Sequence, residues 1–223
     1  MATSDAHTPR ERYRAQVRAE ITGRAWEQIA TAGASALSLN AIAKQMGMSG
    51  PALYRYFASR DDLMTELVRE AYRSLAETLR AAAANGAGLA ALAHVLRDWA
   101  LADPQRYFLV YGTPVPGYQA PADITAITAI SAISAEIMTT LLDACTAHAS
   151  GDAATPFDAY LEGHRGWAAG HPAPPAALHR FLALWTRLHG VLSLELAGHF
   201  AGMDLDPARL FAAELDDLLT PRA

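Results

Sequence analysis

The 223-residue chain holds one cysteine, Cys145, and one lysine, Lys44. A single thiol excludes an intramolecular disulfide framework and fits a reducing compartment. Cys145 is expected as a small buried apolar residue. Charged residues make up only 18% of the chain against 52% hydrophobic, which excludes a disordered polymer and allows a substantial core. The opening stretch MATSDAHTPRERYR lacks the apolar segment of a secretory signal. The longest apolar runs are expected to stop short of a bilayer span, so the expectation is a cytoplasmic protein without a membrane partner. Period-two alternation of β-branched residues is missing, whereas alanine and leucine recur at helical spacing; the fold class is expected to be all-α. Also missing are H-E-x-x-H, G-x-S-x-G and a glycine-rich phosphate loop. His164, His171, His179, His189 and His199 lack metal-ligand spacing. No enzyme activity, metal or cofactor is therefore expected.

What is present is an uneven charge. Net charge is −5, yet residues 1–60 hold eight basic groups against four acidic ones. A cationic head on an anionic body points to a nucleic-acid-binding end.

The spacing predicts a first helix from about Arg10 to Ala32, with Val17, Ile21, Ala25 and Ile29 inward and Gly33 as its stop. A second helix starts near Ser38 or Leu39, turns Ile42, Ala43 and Met46 inward, and ends at Gly47. The third is the stretch MSGPALYRYF, residues 48–57, with Ser49 as expected N-cap and Pro51 tolerated in the first turn. A fourth, capped by Ser59, runs to about Ala84 with Leu63, Leu67, Ala71, Leu75 and Leu79 on one face. Further helices are expected at about Leu89–Ala102, Pro104–Tyr111, Asp123–Ala149, Pro175–Phe200 and Pro207–Leu219. Residues 113–121 and most of 150–174 read as loop, the latter bracketing a short helix. In ITAITAISAIS, residues 124–134, the isoleucines lie three apart, so their stripe winds around the axis; burial on several sides is expected.

Two short helices joined by QMGMSG and braced by a long one make a helix-turn-helix. With Ile42, Ala43, Met46, Leu53 and Phe57 inside, Gly50, Pro51, Ala52, Tyr54, Arg55 and Tyr56 remain outside on the third helix. A major groove admits one helix, and small residues at its leading end permit close approach to base edges.

The segment ALSLNAIAKQMGMSGPALYRYFASRDDL, residues 36–63, resembles the DNA-binding signature of the TetR family of bacterial transcription regulators, most distinctively in LYRYFASRDDL. The resemblance implies a helix-turn-helix domain over residues 10–58 and a larger helical effector-binding and dimerisation domain over 59–223. It places Ser38, Leu39 and Lys44 against the phosphate backbone and Asn40 near a base. Gly50, Pro51, Ala52 and Arg55 fall toward the groove, and Tyr54, Tyr56 and Arg60 fall on phosphates. It implies a double-stranded operator as partner. Repression is the commoner mode, activation the alternative; a helical interaction protein without DNA binding is the more distant one.

The stretch LADPQRYFLVYGTPVPGY, residues 101–118, resembles the ligand domain of the Trp-His-Gly branch, and so does LWTRLHGVLSLEL, residues 184–196, whose Trp185, His189 and Gly190 match the motif that names the branch. The breadth of the apolar arc on the helix at about 175–200 calls for cover on two sides. With the helix at 207–219 it is expected to form a two-fold, four-helix homodimer interface. Trp99, Tyr107, Tyr111, Met138, Trp185 and His189 are candidates for the wall of a site for a small, mainly apolar effector; each could equally be a core residue.

Overall fold

The computed structural model describes residues 8–112, 115, 117–118, 124–148 and 154–220. Among them are ten α-helices and no strand. They gather into two compact units, residues 1–71 with 105–128 and residues 72–104 with 129–223.

The first unit begins with a reciprocal cap. Thr8 Oγ1 accepts from the Glu11 N–H at 3.3 Å, and the Glu11 carboxylate accepts from the Thr8 N–H at 2.7 Å, launching α1 (Pro9–Ala32). Gly33 ends it at φ +78°, a backbone state that costs other residues strain. α2 (Leu39–Gln45) is capped by Ser38, whose hydroxyl accepts from the Ala41 N–H. Gly47, at φ +65°, turns the chain toward α3 (Gly50–Leu53). The expected third helix is thus shorter than residues 48–57. Glycine and proline are poor helix formers, and the Ser49 side chain makes no capping bond. Tyr54–Tyr56 continue as a turn, in which the Leu53 carbonyl accepts from the N–H groups of Tyr56 and Phe57. Burial holds this segment: Leu53 and Phe57 are inaccessible, in one core with Ile21, Ala25, Ile29 and Ile42. Met46, expected inside, is only partly buried.

α4 (Arg60–Ala84) starts as expected at Ser59, whose hydroxyl accepts from the Asp62 N–H at 3.0 Å. Its Leu63, Met64 and Leu67 belong to the helix-turn-helix core. Leu109 of α6 (Pro104–Tyr111), Val115 and Tyr118 pack on the same core, and the Tyr118 hydroxyl lies 3.0 Å from Thr65 Oγ1. The first unit therefore extends past the boundary expected after residue 58 and recruits a segment distant in sequence.

The second unit comprises the later part of α4 with α5 (Leu89–Ala102), most of α7 (Ile124–His148), α8 (Pro156–Gly163), α9 (Pro175–Leu196) and α10 (Pro207–Leu219). Leu75, Leu92, Leu142, Leu184, Leu188 and Phe211 are fully buried in it. An ion pair of 2.6 Å joins Arg97 on α5 to Glu195 on α9. α9 ends before the expected Phe200, because Gly198 takes φ +77°. Cys145 is fully buried, as expected, and burial pushes its thiol up to about 12 against the opposing charge of Arg180.

Two expectations for α7 need correction. Ile130 and Ile133 are half-buried, not enclosed; the side chains of Ile124 and Ile127 lie outside the described residues. The stretch Thr128–His148 is also long and apolar enough to cross a membrane by length and composition. It combines alanine, serine and threonine with isoleucine and leucine, and its Ile137, Leu141, Leu142 and Cys145 are buried within the protein.

Candidate nucleic-acid interface

The helix-turn-helix places most of the candidate residues by a simple division: Leu39, Ile42, Ala43, Leu53 and Phe57 turn in, and most of what lies between turns out. Asn40 and Lys44, one turn apart on α2, are exposed. Pro51, Tyr54 and Arg55 are exposed on α3 and its following turn, and Gly50 and Ala52 are half-exposed. A side chain at Gly50 would come within 3.9 Å of Asn40 Oδ1, so Asn40 stands over the start of α3. The two elements thus present one continuous surface.

The side chains of three further candidates are drawn toward the core or the backbone. The Leu39 side chain is buried in the core, which leaves only its backbone N–H for a phosphate. Tyr56 is half-buried against that core, with the Arg14 guanidinium 5.9 Å from its ring centre. The Arg60 guanidinium turns inward: it donates to the carbonyls of Leu37 at 3.2 Å, Ala34 at 3.1 Å and Ser35 at 3.4 Å, and lies 3.7 Å from Asp61.

Other residues that build the interface went unread in the sequence. Arg18 donates to the Tyr56 carbonyl at 2.5 Å, pairs with Glu66 at 3.4 Å and lies 4.1 Å from the Phe57 ring centre. Arg14 donates to the Arg55 carbonyl at 3.3 Å. Gln28 accepts from the Ser38 N–H at 3.0 Å. Trp26 donates to Glu70 at 2.9 Å, with the Arg106 guanidinium 4.9 Å from its ring centre. The arginines of α1 and the start of α4 are thus mortar for the short helices as well as positive charge.

The six effector candidates fall in both units. In the first, Tyr107 is fully buried and its ring centre lies 5.4 Å from that of Tyr111. In the second, Trp99 donates to Ser74 at 3.1 Å, and Met138 is half-buried on α7. Trp185 and His189 are in contact on α9 at 4.3 Å, at the end of a series of rings from Trp167 through Phe181. Burial lowers the His189 pKa to about 4 from 6.5. The unfolded chain takes up that proton near pH 6.5 and the folded chain only near 4, so stability present above pH 6.5 falls with acidification toward pH 4. Substituting His189→Leu should shrink the stability difference between pH 7 and pH 5 by on the order of 2 kcal/mol, read from urea midpoints. An unchanged difference would mean that the imidazole is solvated. Among the described residues, no three His, Cys, Asp or Glu side chains gather as a metal site.

A buried three-helix frame displaying a basic and aromatic short helix defines a helix-turn-helix protein that binds duplex DNA. Comparison with known proteins agrees. Residues 21–67 match the model of bacterial regulatory proteins of the tetR family, and residues 89–218 match that of the tetracyclin repressor-like C-terminal domain. The HTH-type transcriptional regulator Rv1816 of Mycobacterium tuberculosis is 35% identical over 216 residues, covering 90% of each chain, and Mb1846 of Mycobacterium bovis matches equally. The crystal structure of SCO4313, described as a regulatory protein, is 67% identical, with a TM-score of 0.85 over 96% of this chain and 100% of that one. A tetR-type regulator from a Shewanella species, 18% identical with a TM-score of 0.51 over 91% of this chain and 95% of that one, shares the fold. The chain belongs to the TetR family and is a helix-turn-helix transcription regulator.

Proposed function

We propose that the protein represses transcription by binding a pseudo-palindromic operator as a homodimer and leaves it when a small, mainly apolar ligand binds the helical body. The observation that carries this reading is the continuous exposed surface of Asn40, Lys44, Pro51, Tyr54 and Arg55 on a support of buried Leu53 and Phe57. In it, Arg55 and Asn40 read base edges, Pro51 or Ala52 meets a thymine methyl, and Gly50 permits close approach. Lys44, Ser38, the Leu39 N–H and the hydroxyls of Tyr54 and Tyr56 bind phosphates.

Arg60 acts by positioning. Its three carbonyl partners hold the turn before α2 in place. Arg60→Ala should cost about 1–3 kcal/mol of stability and leave the salt slope of DNA binding near that of the wild type, whereas Lys44→Ala should lower the slope by about 0.9 per half-site without a stability loss. A slope loss in Arg60→Ala with an unchanged urea midpoint would return this guanidinium to the phosphates.

Dimerisation through α9 and α10 is supported by a half-exposed to exposed line of Leu182, Thr186, Gly190 and Leu194 along α9. For the effector, the Trp185–His189 pair is supported by its geometry and by an imidazole that stays neutral at pH 7. Selection of bound fragments from a random duplex pool tests the core of the reading. Inverted half-sites with centres about 10 base pairs or a multiple apart are expected. Equal retention on selected and scrambled duplexes at physiological salt would sink it. A reporter that rises when the gene is deleted distinguishes repression from activation.

A further inference from the structure

The first unit carries a second basic concavity beside the α2–α3 surface. Arg10, Tyr13 and Arg14 from the first turns of α1 share an open groove of about 550 Å³ with Arg55 and Tyr56. Three arginines thus line one open space. The acid that also lines it, Glu11, is occupied: its carboxylate is folded back onto the Thr8 N–H at 2.7 Å and the Thr8 hydroxyl at 2.9 Å. The groove is left with an excess of positive charge, to which the N-terminal end of the long α1 dipole adds. Tyr13, 64% exposed, puts a phenol with a hydrogen-bond donor on the same stretch of helix. An anion seated between these arginines would relieve their mutual repulsion and accept charge-assisted hydrogen bonds.

The wall of the groove is tied to the recognition segment. Arg14 donates to the Arg55 carbonyl and lies over the Tyr56 ring, so the α1 side chains are held in register with the residue proposed to read bases. Given that α3 engages an operator as proposed above, we infer that this groove seats one further backbone phosphate in each half-site, bound by Arg10 with Arg14 and Tyr13. The occupant is a phosphate of the operator duplex, adjoining the bases beneath Arg55. α1 then extends the footprint beyond the helix-turn-helix and adds affinity without adding sequence preference.

Full-length wild type, Arg10→Ala and Arg10→Lys would be titrated by fluorescence anisotropy against the selected operator and its scrambled counterpart between 50 and 200 mM KCl, and compared by ethylation interference on the operator. Arg10 is exposed, and its loss leaves the core intact. Arg10→Ala should lower the slope of log K against log salt by about 0.9 per half-site, so that the affinity lost across this range is about threefold smaller per half-site. Its preference for operator over scrambled duplex should stay unchanged. One phosphate per half-site should interfere when ethylated with wild type and with Arg10→Lys, but not with Arg10→Ala. A slope and interference pattern identical in wild type and Arg10→Ala would overturn the inference while leaving the operator reading intact. A wild type that does not distinguish operator from scrambled duplex would defeat the operator reading itself, and this inference with it.

Discussion

Phe57→Ala should unfold the DNA-binding unit before anything else in the chain. The Phe57 ring is completely inaccessible, in one core with Ile21, Ala25, Ile29, Ile42 and Leu53. Truncation removes the transfer free energy of the ring and leaves a cavity, together about 3–5 kcal/mol. The true cost should lie at the upper end, because the same ring faces the Arg18 guanidinium at 4.1 Å. Arg18 in turn holds the Tyr56 carbonyl and Glu66. Loss of the ring therefore also loosens the turn that carries Arg55. α3 has little of its own to fall back on: four residues that include glycine and proline, with no side-chain cap. Urea unfolding followed by circular dichroism should show an early transition absent from the wild type. Amide exchange should quicken across residues 37–57 while the second-unit amides of α9 remain protected. Phe57→Leu, which keeps most of the volume, should retain most of the stability. A truncated variant with a wild-type midpoint would show that the tight core around α3 does not hold it in place.

Much of this architecture is legible in the residues, for a reason that also marks the limit. Burial on a helix repeats with the helix period, so Val17, Ile21, Ala25 and Ile29, or Leu63, Leu67, Leu75 and Leu79, announce their inner faces. Gly33 and Gly47 announce their stops, since both take the left-handed backbone that glycine tolerates. Arginine carries no such mark. Arg14, Arg18 and Arg60 bind backbone carbonyls, and a carbonyl has no residue identity for a pattern to match. A motif match aligns positions without saying which way a side chain points; Leu39 falls inside the matched signature and is buried. The packing of Leu109 and Tyr118 on the helix-turn-helix core is likewise silent, because it joins segments some fifty residues apart through ordinary apolar contact. The isoleucine spacing of α7 gave its winding but not its cover: Ile130 and Ile133 stay half-exposed.

Arg55→Ala should collapse the preference for the operator while sparing much of the affinity for arbitrary DNA. Arg55 sits on the turn that ends α3, exposed, with its main chain fixed by Arg14 from one side and its neighbour Tyr56 fixed by Arg18. A guanidinium held at its root in this way loses less freedom when it engages a guanine edge through two parallel bonds. One such contact discriminates by about 1–3 kcal/mol per half-site, which is on the order of 5- to 150-fold in relative affinity. Arg55→Lys keeps the charge and loses the fork. It should therefore retain the salt slope while giving up most of the discrimination, and this separates base reading from phosphate attraction. Lys44→Ala provides the opposite pattern: a lower slope, with the ratio of operator to scrambled binding preserved. Both are measured by anisotropy on paired duplexes across a salt series, with circular dichroism to show that each variant is folded. If Arg55→Ala and Lys44→Ala instead weakened both duplexes by the same factor and with the same slope, the guanidinium would be one more phosphate contact. Sequence reading would then pass to Asn40, which stands over Gly50 at the head of the same short helix.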